Sequence, residues 1–531
     1  MADAIVEKNL EVKTSLIRDQ IKIKSALVSV YSKDKLDLVI YALYKLGITI
    51  YSTGGTQKFI KNHGVPVTAV EDLTQFPEML DGRVKTLHPR IFGGLLAVRN
   101  DAGHMKVLAD HQIPEIDLVI VDLYPFEEVV NAKVSEEKII ENGIDIGGNS
   151  IIRAAAKNFY DVLTISSRDQ YEWLAEILEK QNGVSTLAQR RKAMVQAYNI
   201  SSHFDSQIFN YFNNTLPEED RVMVFKKSVL NGREMRYGEN PQQNGFYYGN
   251  LEDVFEVVQE GKELSYNNLK DIHAAVMLVQ EFTQPTAAII KHQNSCGLAT
   301  RSNIMEAYKA AHACDPISAF GSIINLNKEV DVEVATLIHM VFTEVVIAPS
   351  YTHEAIKILS AQKTLRILIQ KRPLKSENEF SSCLEGLVEQ TPDTLLYKDF
   401  VIKAGPLETL SPDRHENIIF GIKASKHLKS NCVVLIKNKT LAGFGAGRTN
   451  RIDALKDALR LVNTYGIGVD EDTILVSEAF FPEADCVNEA HKYGIKIIVE
   501  PGGSVKDHLS IEAAQKNGQT LIFTGVRHFK H

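Results

Sequence analysis

The chain reads as α/β throughout, organised as two successive units. Three observations predict this. At 531 residues it is long enough for two to four domains of about 100–200 residues each. Short apolar runs of strand length alternate with helical stretches in both halves, and in the first half this argues for a parallel sheet with helices on both faces. The run Asn213-Asn214-Thr215-Leu216-Pro217 breaks a long helical pattern and sets a boundary near 215. Residues 1–24 are read as an extension, 25–215 as the first unit and 216–531 as the second.

In the first unit, 25–30 (SALVSV) has the continuous apolar character of a buried strand, and 36–46 is an amphipathic helix ended by Gly47. A second strand over 48–52 leads into Thr53-Gly54-Gly55-Thr56 and a short helix stopping near Gly64. Residues 117–123 form a further strand. A short helix spans 135–142, with Ser135 placed to cap it, and 184–214 is mostly helical. In the second unit, strands are expected at 287–291, 321–326, 343–348, 365–369, 431–437, 473–477, 495–499 and 520–524, with a helix at 270–280. Residues 371–395 read as an irregular polar surface excursion. No short-period repeat appears, which argues against a solenoid.

Charged residues number 59 basic and 67 acidic, a net charge of −8. That balance disfavours a nucleic-acid role for the whole surface. The five cysteines show neither a Cys-x-x-Cys pair nor zinc spacing, as expected of reduced cytosolic thiols. The charged N-terminus has no apolar run of signal or membrane-span length, so a cytoplasmic enzyme with no membrane partner is expected.

Several motifs carry chemistry. Glycines between strand and helix in Thr53-Gly54-Gly55-Thr56 let backbone amides face an anion, although the same text serves a plain tight turn. Arg83-Val84-Lys85-Thr86-Leu87-His88-Pro89 concentrates cationic side chains and a hydroxyl in a loop; its alternative is a solvated basic turn. Tyr124 follows a strand, where ligands of parallel sheets gather. Asp145-Ile146-Gly147-Gly148 opens a helix carrying Arg153, an alanine run and Lys157. In the second unit, Lys291-His292 closes a strand ahead of a sharp turn over Gln293–Gly297. Histidine accepts a proton near neutral pH and a neighbouring lysine steadies oxyanion charge. Cys296 has no base that sequence can assign to it. Gly443, Gly445 and Gly447 read as a tight excursion after 431–437.

The pieces SVYSK (29–33), STGGT (52–56), GRVKTLHP (82–89), DLYPF (122–126) and DIGG…RAAAKN (145–158), followed by Arg236–Gln243, Leu264–Asn268, Lys291-His292 and the terminal TGVRHFKH, come in one order. In that order they resemble the bifunctional purine-biosynthesis enzymes that join phosphoribosylaminoimidazolecarboxamide formyltransferase to inosinate cyclohydrolase. The resemblance spans about 25–531. It implies an N-terminal methylglyoxal-synthase-like domain and a C-terminal formyltransferase region of two cytidine-deaminase-like halves. It implies that Ser29, Lys33, Thr53, Gly54, Gly55 and Thr56 hold the nucleotide phosphate. Lys85, Tyr124, Asp145 and Lys157 would then surround the base during ring closure, with Arg83 and Thr86 nearby. Lys291, His292 and Asn431 would serve formyl transfer, with Arg236, Tyr237, Asn267, Phe480 and Arg527 lining the nucleotide site. The co-substrate implied is 10-formyltetrahydrofolate, with no metal, and the assembly implied is a homodimer.

Some positions depart from the family pattern: Gln242, Ser295, Ser322, Glu385, Arg448-Thr449-Asn450, Glu478 and Glu483. Two further readings follow. One keeps ring closure beside a weakened or altered formyltransferase; the other is a nucleotide-binding regulatory protein without catalysis.

Overall fold

A computed structural model describes residues 18–82, 84–406 and 410–531. Arg83 and residues 1–17 lie outside the described residues. The chain divides into two compact units, Met1–Val229 and Leu230–His531.

Among the described residues the first unit holds β1 (Ser25–Val30), α1 (Leu36–Lys45), β2 (Thr49–Ser52), α2 (Gly54–Asn62), β3 (Thr68–Ala69), β4 (Leu118–Asp122), α3 (Ile146–Lys157), β5 (Leu163–Ile165) and α4 (Leu187–Thr215). The sheet order is β3-β2-β1-β4-β5, all parallel. Helices cover both faces, so β1 and β4 are buried along almost their whole length and need the unbroken apolar runs the sequence supplies. The strand order reverses between β1 and β4. Their carboxyl ends therefore open a crevice, the usual ligand position in such sheets. Residues Gln20–Lys22 also belong to this unit, pairing antiparallel with Val184–Thr186. Beyond α4 the chain runs back along that helix, with Asn213 Nδ2 donating to Val222 O and Asn210 Nδ2 to Lys226 O.

The second unit contains two halves of one topology. The first comprises β6 (Phe255–Gln259), α5 (Tyr266–Val279), β7 (Thr286–Lys291), β8 (Asn294–Thr300), α6 (Ile304–Cys314), β9 (Ser322–Leu326), α7 (Val332–His339), β10 (Thr343–Ala348), α8 (His353–Leu359) and β11 (Arg366–Gln370). The second comprises β12 (Val401–Ala404), α9 (Pro412–Lys426), β13 (Val433–Lys437), β14 (Thr440–Gly445), α10 (Arg451–Thr464), β15 (Ile474–Ser477), α11 (Asp485–Lys492), β16 (Ile497–Glu500), α12 (Asp507–Asn517) and β17 (Thr520–Phe523). Each half has an antiparallel hairpin, a second antiparallel neighbour, two parallel strands and an antiparallel edge. The halves fuse into one twelve-stranded sheet through β8 and β14, paired antiparallel at Ala299↔Thr440. That pairing sets the start of β8 beside the end of β14.

Four expectations need correction. Residues 371–395 are not irregular: Glu379–Cys383 pairs with Gly386–Gln390 in an exposed hairpin. Asn294–Gly297 lies within β8, and the sharp turn is His292-Gln293 alone, both with positive φ (52° and 63°). Gly443 and Gly445 are strand residues. A Cβ on Gly445 would stand 2.0 Å from the Ala454 carbonyl oxygen of α10, so this glycine serves close helix–strand packing. Ser135 occupies the N-cap position, but its side chain makes no capping hydrogen bond.

Candidate active sites

In the first unit, the loops after β1, β2 and β4 converge. Thr53 is the N-cap residue of α2, and its hydroxyl lies 3.4 Å from that of Ser29. Thr56 is buried and spends its hydroxyl on β1, donating to Val30 O at 3.0 Å and accepting from Val30 N at 3.2 Å. It braces the loop, while Gly54 and Gly55 stay exposed. The Lys85 ammonium hangs over that turn: a Cβ on Gly54 would sit 3.5 Å from Lys85 Nζ. Glu78 lies 4.0 Å from the same ammonium. Lys33 folds back on the loop carbonyls, donating to Val30 O and to Tyr31 O at 2.9 Å. Burial lowers its pKa; nearby Asp122 opposes this and Lys85 adds to it.

Asp145 caps α3, accepting the Gly148 amide at 2.6 Å. A Cβ on Gly148 would lie 2.4 Å from Asp145 Oδ2, which explains the glycine. Thr86 is buried against the next glycine, with its hydroxyl 3.1 Å from where a Gly147 Cβ would be. Burial raises the Asp145 carboxyl, while the Gly148 amide and Lys85 pull it down. The Tyr124 phenol is raised by burial first, then by Asp145 and Tyr31. The Tyr31 and Tyr124 rings meet edge to face, centroids 5.6 Å apart. Lys85, Asp145, Tyr124, Lys33 and the glycine turn thus share one crevice. Lys157 does not. It is the exposed last residue of α3, about 18 Å along the axis from Asp145 at 1.5 Å per residue.

In the second unit, α5 organises the first half's contribution. Its N-cap Ser265 makes a reciprocal capping box with Asn268. Asn267 Nδ2 donates to Glu239 O at 3.1 Å, tying down the loop that carries Arg236 and Tyr237. The Arg236 guanidinium lies over the Tyr237 ring at 5.5 Å and pairs with Glu263 at 3.6 Å. One turn further along α5, Asp271 accepts the Gln293 amide at 2.6 Å and so grips the Lys291-His292 turn. Lys291 ends β7, its ammonium donating to Phe320 O at 2.8 Å. His292 is exposed at the tip. Cys296 is buried in β8, and burial pushes its thiol up to about 12, so a nucleophilic role has no support.

The second half supplies a cluster at the same end of the sheet. Asn431 has both ends of its amide engaged: Nδ2 donates to Arg448 O at 3.0 Å, and Oδ1 accepts from Arg451 Nη2 at 2.6 Å. Arg451 is buried and pairs with fully buried Glu478. Glu478 also accepts the Cys432 amide at 2.9 Å, and its carbonyl holds the His528 amide at 2.9 Å. Phe480 follows on the same segment, half-buried, and Arg527 precedes His528, exposed and stacked on Phe529 at 4.3 Å. A cavity of about 350 Å³ joins the halves at this end of the sheet, lined by Asn294, Asp315, Phe444, Gly447, Arg448 and Asp457 among others.

Sequence reading missed Arg451, Asp271 and Glu500. Burial pushes the Glu500 carboxyl up to about 8, and it accepts the Phe481 amide. No motif marked them, because their partners lie far away in the chain.

Fold and clusters together define a two-unit α/β enzyme, with a cationic crevice in one unit and a Lys-His turn in the other. A family model described as AICARFT/IMPCHase bienzyme matches residues 155–461, and one described as MGS-like domain matches 36–149. Three relatives are each described as bifunctional purine biosynthesis protein PurH. That of Bacteroides thetaiotaomicron is 45% identical, covering 96% of this chain and 99% of its own. Those of Acetivibrio thermocellus and a Thermoanaerobacter species are 40% and 41% identical, each covering 96% of this chain and 100% of their own. The chain belongs to the AICARFT/IMPCHase bienzyme family, and it is a bifunctional enzyme with AICAR formyltransferase and IMP cyclohydrolase activity. Its co-substrate is a folate derivative, and no group of side chains able to hold a metal ion occurs among the described residues. No helix among the described residues is long and apolar enough to cross a membrane.

Proposed function

We propose that the first unit closes the purine ring and the second transfers the formyl group from 10-formyltetrahydrofolate to the 5-amino group of AICAR. The observation that carries the division is the separation of two chemically different clusters into two compact units. In closure, the carboxamide nitrogen attacks the formyl carbon of the same molecule and water leaves. The glycine turn with Ser29, Thr53 and Lys33 holds the phosphate, and Thr56 keeps that turn in shape. Lys85 faces the oxyanion that forms on attack, where a fixed cation lowers the barrier. Tyr124 and Asp145 handle protons beside it, and Thr86 orients the loop. Both reacting groups are tethered, so holding one pose supplies much of the rate.

In transfer, the amine nitrogen attacks the formyl carbon and the bond from that carbon to folate N10 breaks. His292 takes the amine proton and passes it to N10 as that nitrogen leaves, while Lys291 steadies the formyl oxygen. Asn431 orients the carboxamide. Arg236, Tyr237, Asn267, Phe480 and Arg527 line the nucleotide. Of the residues that depart from the family pattern, several have partners: Ser295 Oγ donates to Gly297 O at 2.9 Å, Arg448 pairs with Asp457, Glu478 with Arg451 and Glu483 with Lys506, whereas the buried Ser322 hydroxyl makes no hydrogen bond among the described residues.

The working form is a cytoplasmic homodimer. The exposed hairpin with Phe380, Leu387 and Val388 on its surface favours a covering partner. In a dimer, Lys157 of one chain is free to serve the closure crevice of the other. The test is direct. AICAR and 10-formyltetrahydrofolate are supplied, and tetrahydrofolate and IMP are followed; formylated AICAR supplied alone isolates closure. Absence of either product from folded protein would defeat the corresponding half of the reading.

A further inference from the structure

From the N-cap of α5 to the turn after β7, the first half of the second unit matches the second half residue by residue. One numbering offset takes N-cap Ser265 of α5 to N-cap Ser411 of α9, Asp271 to Asn417, Lys291 to Lys437, and the turn His292-Gln293 to the turn Asn438-Lys439. Both turns put two non-glycine residues in the left-handed region, with φ of 52° and 63° in the first and 48° and 50° in the second. Side chains other than glycine and asparagine seldom adopt that conformation, so each turn needs an external hold. Each has the same one. Asp271 Oδ1 accepts the Gln293 amide at 2.6 Å, and Asn417 Oδ1 accepts the Lys439 amide at 2.6 Å.

The second half is therefore an internal control. A neutral carboxamide suffices to clamp such a turn, yet the half whose turn carries histidine uses a carboxylate. The carboxylate also lies within electrostatic reach of His292, with burial raising its pKa. Lys291 adjoins the histidine on its own strand. Glu344, held by Asn268 at 2.7 Å and Arg366 at 3.5 Å, acts on Asp271 from β10. In the second half no acceptor of a proton sits at the tip: Asn438 stands there, and Lys437 is tied to Asp470 at 2.6 Å.

We propose that Asp271 is a positioning residue for formyl transfer, clamping the His292 turn through its backbone and supplying negative charge for the imidazolium that forms when His292 takes the amine proton. This rests on the assignment of His292 as that proton acceptor. The carboxylate gains no proton and makes no bond to substrate. A fixed charge beside an imidazole acts by stabilising its protonated form, which exists on the way to product and not in the resting site.

The experiment compares the full-length enzyme with D271N, D271E, N417D and H292A, measuring kcat and KM for AICAR in formyl transfer. D271N keeps the acceptor oxygen, as Asn417 does, and loses only charge. It is expected to leave KM within about twofold and to lower kcat about tenfold or more. N417D is expected to change neither. A D271N kcat within about twofold of the parent overturns the proposal and leaves Asp271 a plain turn clamp. Should D271N fail to fold, D271E decides: a kcat within about threefold of the parent supports the charge, and a larger loss refutes it. H292A separates the two levels. If H292A retains formyl transfer, the assignment of His292 itself falls; if H292A is inactive while D271N is normal, only the role of Asp271 falls.

Discussion

Arg451 donates to the side-chain oxygen of Asn431 at 2.6 Å while its other nitrogen is held by buried Glu478. The carboxamide on which AICAR orientation is proposed to depend is therefore aimed by a buried ion pair. Glu478→Ala should strand the Arg451 charge. Removing one partner of a buried pair costs about 3–5 kcal/mol, so denaturant unfolding should show a large loss and formyl transfer should fall with it. Glu483→Ala breaks only the exposed contact with Lys506 and should change stability by less than about 1 kcal/mol. Equal effects would mean that Glu478 is not paired in solution.

His292→Ala should remove formyl transfer, by about 100-fold to 10,000-fold for a lost acid–base group, and leave closure of formylated AICAR untouched. Steady-state assays of the two half-reactions measure this. A parallel loss of closure in folded protein would contradict two separate sites.

Lys85→Ala should do the reverse. Closure should fall about 100-fold to 1,000-fold, the usual consequence of losing one oxyanion partner, with formyl transfer unchanged. Unaltered closure kinetics would take Lys85 out of the crevice.

Lys157 sits a helix length from Asp145 within one chain. If a second chain supplies it, K85A and K157A are each impaired alone, but mixed dimers regain closure, because one of their two crevices is intact. Co-expression with two affinity tags isolates the mixed species. No recovery would confine Lys157 to a role outside the site.

Glu500 makes stability depend on pH. Burial raises its carboxyl from 4.5 to about 8, with Asp507 adding to the rise and the Phe481 amide and Arg451 opposing it. Between those values the folded chain keeps a proton that the unfolded chain has released. Stability should therefore fall as pH climbs through that window, the full loss being reached above pH 8. Glu500→Gln has no proton to lose and can still accept the Phe481 amide. It should flatten the profile and gain stability at pH 8, on the order of a few kcal/mol. Melting temperatures at pH 5, 7 and 8.5 test the sign.

By itself the sequence determined the buried strands with continuous apolar runs, several helices and the two-unit order, since runs such as 25–30 and 431–437 have few alternatives to a covered sheet; it did not mark β8 and β14, the strands that join the two halves. It also located the glycine turn, Lys85, Asp145 and the Lys-His pair, each of which stands in a local motif. Only the tertiary structure decided which groups meet. It brought Arg451 and Glu478 under Asn431, put Asp271 behind His292 and left Lys157 at the wrong end of α3. It also revealed that 379–390 is a hairpin and that Gly445 faces a helix. The side-chain meetings depend on sheet pairing, which joins residues far apart in the chain; the hairpin is local, but its strands are exposed throughout and carry no apolar run. A pairing between distant residues leaves no periodicity or spacing from which it could be read.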